Sequence, residues 1–422
     1  MKRKITIAVL SVLFVVIASA SLLRAGSDQY YGELRTFTNV MSLIKADYVE
    51  KVNPEKLITG AIRGMVRTLD PHSAYFTPKE YKEFKTITTG EFGGLGMTVT
   101  LKNGILTVIS PIEDTPAARA GIKSNDKIIK IDGKSTPGMT LNKAVSLLRG
   151  KPGTKVTLSI LRKGEHKPLI ITITREIIHI KSVKYKMLPE KIGYIKILQF
   201  QEKTGKNVYN ALRKLERKGA RDLILDLRNN PGGLLSQAVS VSDLFLTKGT
   251  IVTIRGRKKS DVTKFSAHTF GGEPKGNIIV LINGGTASAA EIVTGALQDN
   301  KRAIVMGQKS FGKGSVQTLL PLDNGGALKL TTAKYYTPSG RSIQAVGITP
   351  DIVVPEKIIL AKKNTANQIR EIDLPHHFAA TKSGSGKLKN KEIKPIKDYQ
   401  LERAVDLIIG LRISKELNAK KR

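Results

Sequence analysis

The chain has 422 residues, with 70 Lys+Arg against 35 Asp+Glu for a formal charge of +35, and it has no Cys and no Trp. That length suits two to three domains, and the missing cysteines exclude disulfides, zinc–thiolate sites and a Cys nucleophile. The charge invites nucleic acid or an acidic membrane surface as partner, but aromatics are only 5% and no Arg/aromatic stacking cluster stands out, which argues against nucleic acid.

Lys2-Arg3-Lys4 precedes an uncharged run from Ile5 to Leu23, and Arg24 ends it. A basic flank, an apolar stretch and then Ala18-Ser19-Ala20 is the layout of a secretory signal. The run is also long enough to span a bilayer as a retained anchor. Either way the basic flank stays inside and the rest of the chain is exported.

From Tyr30 to about Thr89 the pattern is helical. Leu34, Phe37, Val40, Met41 and Ile44 recur at three and four, as do Leu57, Ile58, Ala61, Met65 and Leu69. Asp70-Pro71 stops the second run. Asp70-Pro71-His72-Ser73-Ala74-Tyr75 carries no obvious chemistry, and His72 reads as a turn residue. From Gly90 to about Arg175 the texture changes to short strands. Asn103-Gly104 signals a hairpin, Pro116 to Ala120 a short helix ending at Gly121, and Thr140 caps a helix over Leu141–Leu148.

From Ile177 to about Pro355 strands and helices alternate, which implies βαβ units. Strands are expected at 192–197, 223–227, 278–282 and 303–306, and helices at 204–218, 235–246 and 289–297. Leu223 to Leu227 is almost wholly apolar, as in a sheet covered on both faces. Residues 376–397 read as a Lys-, Ser- and Gly-rich linker. Leu401, Ala404, Val405, Ile408 and Ile409 then form one helical apolar stripe that needs a partner surface, in cis or in a second subunit.

Three Gly-rich turns follow apolar strands: Arg228 to Gly233, Asn283 to Ser288, and Gly307 to Gly314. Strand ends in an α/β sheet are where ligands bind. Ser288 with Glu291 reads as a capping box. It reads equally as a nucleophile at a helix N-terminus, where free N–H groups favour a developing oxyanion. A serine needs a base. The six histidines are His72, His166, His179, His268, His376 and His377, and none sits in a Gly turn. Lys313, between two glycines after a buried strand, is the better candidate. At its reference pKa of about 10.4 a lysine is neutral in about one molecule in 2,500 at pH 7, so the role requires partial burial. Gln317, four residues on, falls on the same face of a helix or strand and accepts from the amine without adding charge. A rival reading of Gly307 to Lys313 is a phosphate loop, but Gly314 stands where the metal-binding hydroxyl belongs.

These motifs resemble those of the carboxyl-terminal processing peptidases, the tail-specific serine proteases. The resemblance rests on Asn283 to Ile292, on Gly312-Lys313-Gly314-Ser315-Val316-Gln317, and on Leu225 to Gly233. Tyr335 to Gly340, Gly347 to Asp351, Asp70 to Tyr75 and Gln400-Leu401 with Ala404 extend it. It implies an α/β protease core with an inserted PDZ domain, a small β-barrel or sandwich with helices, and helical N- and C-terminal extensions. It also implies Ser288 as nucleophile, Lys313 as general base and Gln317 as the residue orienting the lysine. It further implies that backbone N–H groups of Gly233 and Ala289 form the oxyanion hole, and that no metal or cofactor is needed. In the PDZ domain Gly94-Leu95-Gly96-Met97 offers N–H groups to a substrate carboxylate, and the strand after it offers an edge to the peptide.

The division expected is 1–25 signal peptide or N-terminal membrane anchor, 26–89 helical region, 90–175 PDZ domain, 176–355 protease core and 356–422 basic linker and helix. The function expected is an extracytoplasmic serine endopeptidase, secreted or N-terminally anchored, whose partners are proteins with free C-termini. Association with the membrane and a homodimer through the terminal helices are further expectations; nucleic acid is not a partner. The alternative is a catalytically silent PDZ adaptor on the same fold.

Overall fold

The computed structural model describes residues 31–269, 271–356 and 398–419, in two compact units. The first runs to Glu80 and includes Gln317–Thr331; the second holds Tyr81–Val316 and the chain from Thr332 on. The apolar run at 5–23 and the linker at 376–397 lie outside the described residues. Among the described residues no helix is long and apolar enough to cross a membrane.

In the first unit residues 31–47 are helical, and a second helix spans Pro54–Arg67. Asn53 caps the second: its side chain accepts the Glu55 N–H at 2.8 Å, and Pro54 takes the first helical position. The periodicity that predicts these helices does not bury them, since Leu34, Phe37, Ile58 and Met65 are exposed. The second helix stops before Asp70, and the turn that follows leads to an unexpected strand. Ala74–Phe76 pairs antiparallel with Ala327 to Lys329, at the start of the Ala327–Tyr336 strand. Three residues are too short a stretch for alternation to show; the pairing comes from chain about 250 residues away.

The second unit begins with a small antiparallel domain. Its strands lie in the order Met97–Lys102, Ile105–Pro111, Lys127–Ile131, Lys155–Leu161, Leu169–Thr174, so Met97–Lys102 is an edge. Asn103 and Gly104 both have positive φ, as the two-residue hairpin requires. Thr140 Oγ1 caps the Leu141–Leu148 helix through the Lys143 N–H, and Ala144 and Leu148 join Leu106, Ile128, Leu158 and Ile160 in the core. Glu91–Gly94 and Glu176–His179 pair antiparallel where the chain enters and leaves this domain.

The rest is built on one sheet. Val183–Leu188 pairs antiparallel with Ile192–Ile197; then Asp222–Asp226, Ile278–Ile282, Ile304–Gly307 and Ile352–Val353 follow in parallel. Successive side chains on a strand point to opposite faces. Ile195, Leu225, Val280 and Val305 meet the helices Thr204–Arg217, Leu235–Asp243 and Ala289–Asp299 on one face. Ile192, Ile224, Ile279 and Met306 meet Ala404 and Ile408 of the Tyr399–Ala419 helix on the other. The tail stripe thus finds its surface in cis, and the central strands are covered on both sides.

A buried ion network ties that last helix down. Arg228 donates to both oxygens of Asp226 (3.0 and 2.8 Å) and of Asp398 (2.8 and 2.7 Å), and to Gln400 Oε1 (3.0 Å). Burial pushes the Asp226 carboxyl up, but hydrogen bonds and charge from Arg228 outweigh it and hold the group below the usual carboxylate range. Removing one partner leaves a buried guanidinium short of acceptors. Asp398 is partly exposed, so Asp398→Ala is expected to cost about 2 kcal/mol rather than the full buried-pair penalty. A chemical-denaturation midpoint unchanged from wild type would contradict this.

Candidate active site

Three neighbouring parallel strands, Asp222–Asp226, Ile278–Ile282 and Ile304–Gly307, release their loops from the same, carboxyl edge of the sheet. Side-chain and backbone bonds stitch the loops together. Thr286 Oγ1 donates to Leu227 O (2.9 Å), the Ala287 N–H to Asn230 O (2.9 Å), and the Phe311 N–H to Thr286 O (3.0 Å).

Ser288 ends the second loop and begins the Ala289–Asp299 helix. Its backbone is strained, with φ 57° and ψ −117°, a region that non-glycine residues rarely occupy. The expected capping box is present, and its Glu291 half is the Ser288 N–H donating to Oε2 at 2.8 Å. The Glu291 N–H also donates to the Ser288 carbonyl oxygen at 2.8 Å.

Glu291 does more than cap. It is fully buried, and its two oxygens act only as acceptors. Oε2 takes the N–H groups of Ser288 (2.8 Å) and Lys313 (2.9 Å); Oε1 takes the Gly312 N–H (2.7 Å) and the Ser310 hydroxyl (2.6 Å). One carboxyl oxygen therefore holds the backbone of the serine and the backbone of the lysine together. Its spacing of three from Ser288 was legible in the sequence; its partners at 310, 312 and 313 were not.

The first loop closes over the serine. A Cβ at Gly232 would lie 2.7 Å from Ser288 Cβ and 2.9 Å from the Ala289 nitrogen, and one at Gly233 would lie 2.1 Å from Phe200 O. Both glycines also have positive φ, so no side chain fits there. Among the described residues the N–H groups of Gly233 and Ala289 have no acceptor.

Lys313 is half-buried in the third loop, two residues before the Ser315–Pro321 strand that carries Gln317. It precedes the strand, so the spacing argument that set both residues on one strand face does not apply. The phosphate-loop reading fails on hydrogen bonds. The N–H groups of Gln308, Ser310 and Phe311 go to Ile282, Ile348 and Thr286 carbonyls, and those of Gly312 and Lys313 to Glu291. Few donors remain to cradle an anion. His268 is exposed on its loop and faces Asp243.

A carboxy-terminal-processing protease of Bartonella bacilliformis is 46% identical over 403 residues, covering 94% of this chain and 93% of that protein. The chain belongs to the carboxyl-terminal processing proteases. The sequence profile of peptidase family S41, a family of serine peptidases, matches residues 191–354, a PDZ-domain profile residues 107–162, and that of the activating protease CtpB N-terminal domain residues 18–79. Carboxy-terminal processing protease CtpA of Bacillus subtilis is 39% identical, covering 83% of this chain and 78% of that one. A solved photosystem II D1 C-terminal processing protease is 28% identical over 76% of this chain and 92% of its own, with a TM-score of 0.45.

In the first unit of the protease, Gln317 belongs to a hydrogen-bonded chain that gives Asp70 to Tyr75 a purpose. Gln317 Nε2 donates to Thr331 Oγ1 (3.4 Å), the Thr331 N–H to Ser73 Oγ (3.1 Å), and Ser73 Oγ–H to Asp70 Oδ2 (2.7 Å). Asp70 Oδ1 also accepts the His72 and Ser73 N–H groups at 2.7 and 2.9 Å, so His72 is a turn residue. Slight burial raises the Asp70 pKa, but the Ser73 and His72 hydrogen bonds outweigh it and lower it to about 2. A depressed carboxylate stabilises the fold above its unfolded pKa of about 3.9, and that contribution is lost as pH falls through the folded value. Asp70→Asn is thus expected to lower Tm near neutrality, with the gap to wild type closing between about pH 4 and pH 2. Thermal unfolding of both proteins across that window checks it; a gap independent of pH would refute it.

At the start of the small antiparallel domain, within which the PDZ match falls, the Gly94 to Met97 stretch turns its carbonyls inward. Leu95 O accepts the Ala117 N–H, and Gly96 O the Ile112 N–H and Thr115 Oγ1–H, each at 2.8 Å. The Leu95 and Gly96 N–H groups have no acceptor among the described residues. The edge strand Met97–Lys102 follows them directly, and the Leu141–Leu148 helix packs beside it.

Proposed function

We propose that this protein is an exported serine endopeptidase that holds the free C-terminus of a protein substrate in its PDZ domain and cleaves near that end. The observation that carries the catalytic part is the Glu291 carboxyl, which binds the Ser288 and Lys313 backbones to one oxygen. Ser288 Oγ attacks the scissile carbonyl as its proton passes to the neutral amine of Lys313. Lys313 then returns that proton to the leaving peptide nitrogen as the C–N bond breaks, and the acyl-enzyme is hydrolysed by a water whose proton passes through Lys313 back to Ser288 Oγ. The N–H groups of Gly233 and Ala289 receive the oxyanion, at the N-terminus of a buried helix whose dipole favours negative charge. Gln317, braced through Thr331 and Ser73, orients the lysine. The substrate carboxylate docks on the Leu95 and Gly96 N–H groups, and its last residues add as a strand to Met97–Lys102. Export rests on the basic flank and apolar run of residues 2–23.

The test incubates candidate extracytoplasmic proteins with wild type and Ser288→Ala and maps new C-termini by mass spectrometry. New termini near substrate ends with wild type alone support the reading. Equal cleavage by both proteins overturns it. N-terminal sequencing and fractionation of the protein from cells test export.

A further inference from the structure

Tyr335 lies in the Ala327–Tyr336 strand, opposite Ile254 in the Thr250–Gly256 strand. Its backbone N–H donates to Gly314 O at 3.0 Å, next to Lys313. The side chain is 2% exposed and its ring packs in the main core. Yet its hydroxyl is buried without a hydrogen-bond partner among the described residues. The polar groups that bear on it are the hydroxyl of Ser288, within reach but too poorly aligned to satisfy it, and, by charge, the carboxyl of Glu291.

A buried, unsatisfied hydroxyl costs stability. Phenylalanine would fill the same space without that cost, so packing alone gives no reason for the oxygen. Burial also pushes the phenol well above its usual range, with the Glu291 charge adding to it, so the group stays protonated and serves as a donor rather than a base. An oxygen that is about to surrender its proton lies beside it.

We propose that Tyr335 is an orienting hydrogen-bond donor to the Ser288 nucleophile, engaged as the peptidase enters its reactive state. This rests on Ser288 being the nucleophile. The Tyr335 O–H donates to one lone pair of Ser288 Oγ. The Ser288 proton then points to Lys313 Nζ, which takes it, and the remaining lone pair forms the bond to the substrate carbonyl carbon. No proton leaves Tyr335. The bond fixes the Oγ rotamer, so that a lone pair faces the substrate carbonyl carbon while the proton faces Lys313.

The test compares full-length wild type, Tyr335→Phe and Ser288→Ala on a peptide substrate and with a fluorophosphonate probe, with Tm measured for each. The expected result for Tyr335→Phe is a fall in kcat and in the rate of Ser288 labelling, each by about 10- to 100-fold. KM stays unchanged and Tm unchanged or higher. Unchanged kcat and labelling, a change in KM alone, or activity lost together with a lowered Tm would each overturn the proposal. Cleavage by Ser288→Ala, or wild type labelled elsewhere, would instead remove the nucleophile assignment, and this inference with it.

Discussion

Replacing Ser288 by Ala is expected to lower cleavage of a poorly folded, C-terminally tagged protein by about 10⁴-fold or more while the fold survives, and Lys313→Ala to do nearly the same. The two losses do not add, because nucleophile and base act on one proton transfer. The helix that begins after Ser288 is buried through nine residues, so removing one hydroxyl leaves its packing intact. In the proposed mechanism the neutral amine is the working form, so the rate is expected to climb with pH. A flat kcat/KM profile from about pH 5 to 9 would argue against the lysine as base, and normal turnover by Lys313→Ala would exclude it.

Glu291→Gln is the second large effect. The substitution keeps shape but turns one acceptor oxygen into a donor. Whichever way the amide lies, its NH₂ faces either the Ser288 and Lys313 N–H groups or the Gly312 N–H and Ser310 hydroxyl. The first orientation loses two hydrogen bonds to the carboxylate and the second loses one, because the Ser310 hydroxyl can turn to accept, so the cost is about 2 kcal/mol or more. Part of that cost appears as lower Tm. The rest appears as misplacement of serine against lysine, which we expect to lower kcat by about 100-fold, equivalent to about 2.7 kcal/mol. Labelling of Ser288 by a fluorophosphonate separates the two contributions: it should slow even well below the Tm of the variant. Wild-type kcat in a folded Glu291→Gln protein would show that the carboxyl anchors nothing the reaction needs.

Local chemistry made much of this legible. The βαβ alternation, the buried strands at 222–226 and 278–282, the cap at Thr140 and the Asn103-Gly104 hairpin all follow from residues within a few positions of one another. The N-terminal helices show the limit, because their apolar stripes set helicity and left burial open. Asp70 to Tyr75 looked chemically silent for the same reason. Its partners, Thr331 and beyond it Gln317, lie about 250 residues away.

By itself the sequence determined the βαβ elements of the core sheet, the three Gly turns at strand ends and the nucleophile–base pairing of Ser288 with Lys313 as an expectation. Periodicity, turn chemistry and spacing are properties of neighbouring residues, and the motif resemblance added the roles. Only the tertiary structure decided which distant groups those residues meet. Sheet order brought Ser310, Gly312 and Lys313 to Glu291, and Asp398 to Arg228. Such partnerships depend on which strands become neighbours, and strand order is a global outcome of burying both faces of one sheet. The +35 charge that stood out first contributes to the proposed chemistry through one lysine, in its neutral form.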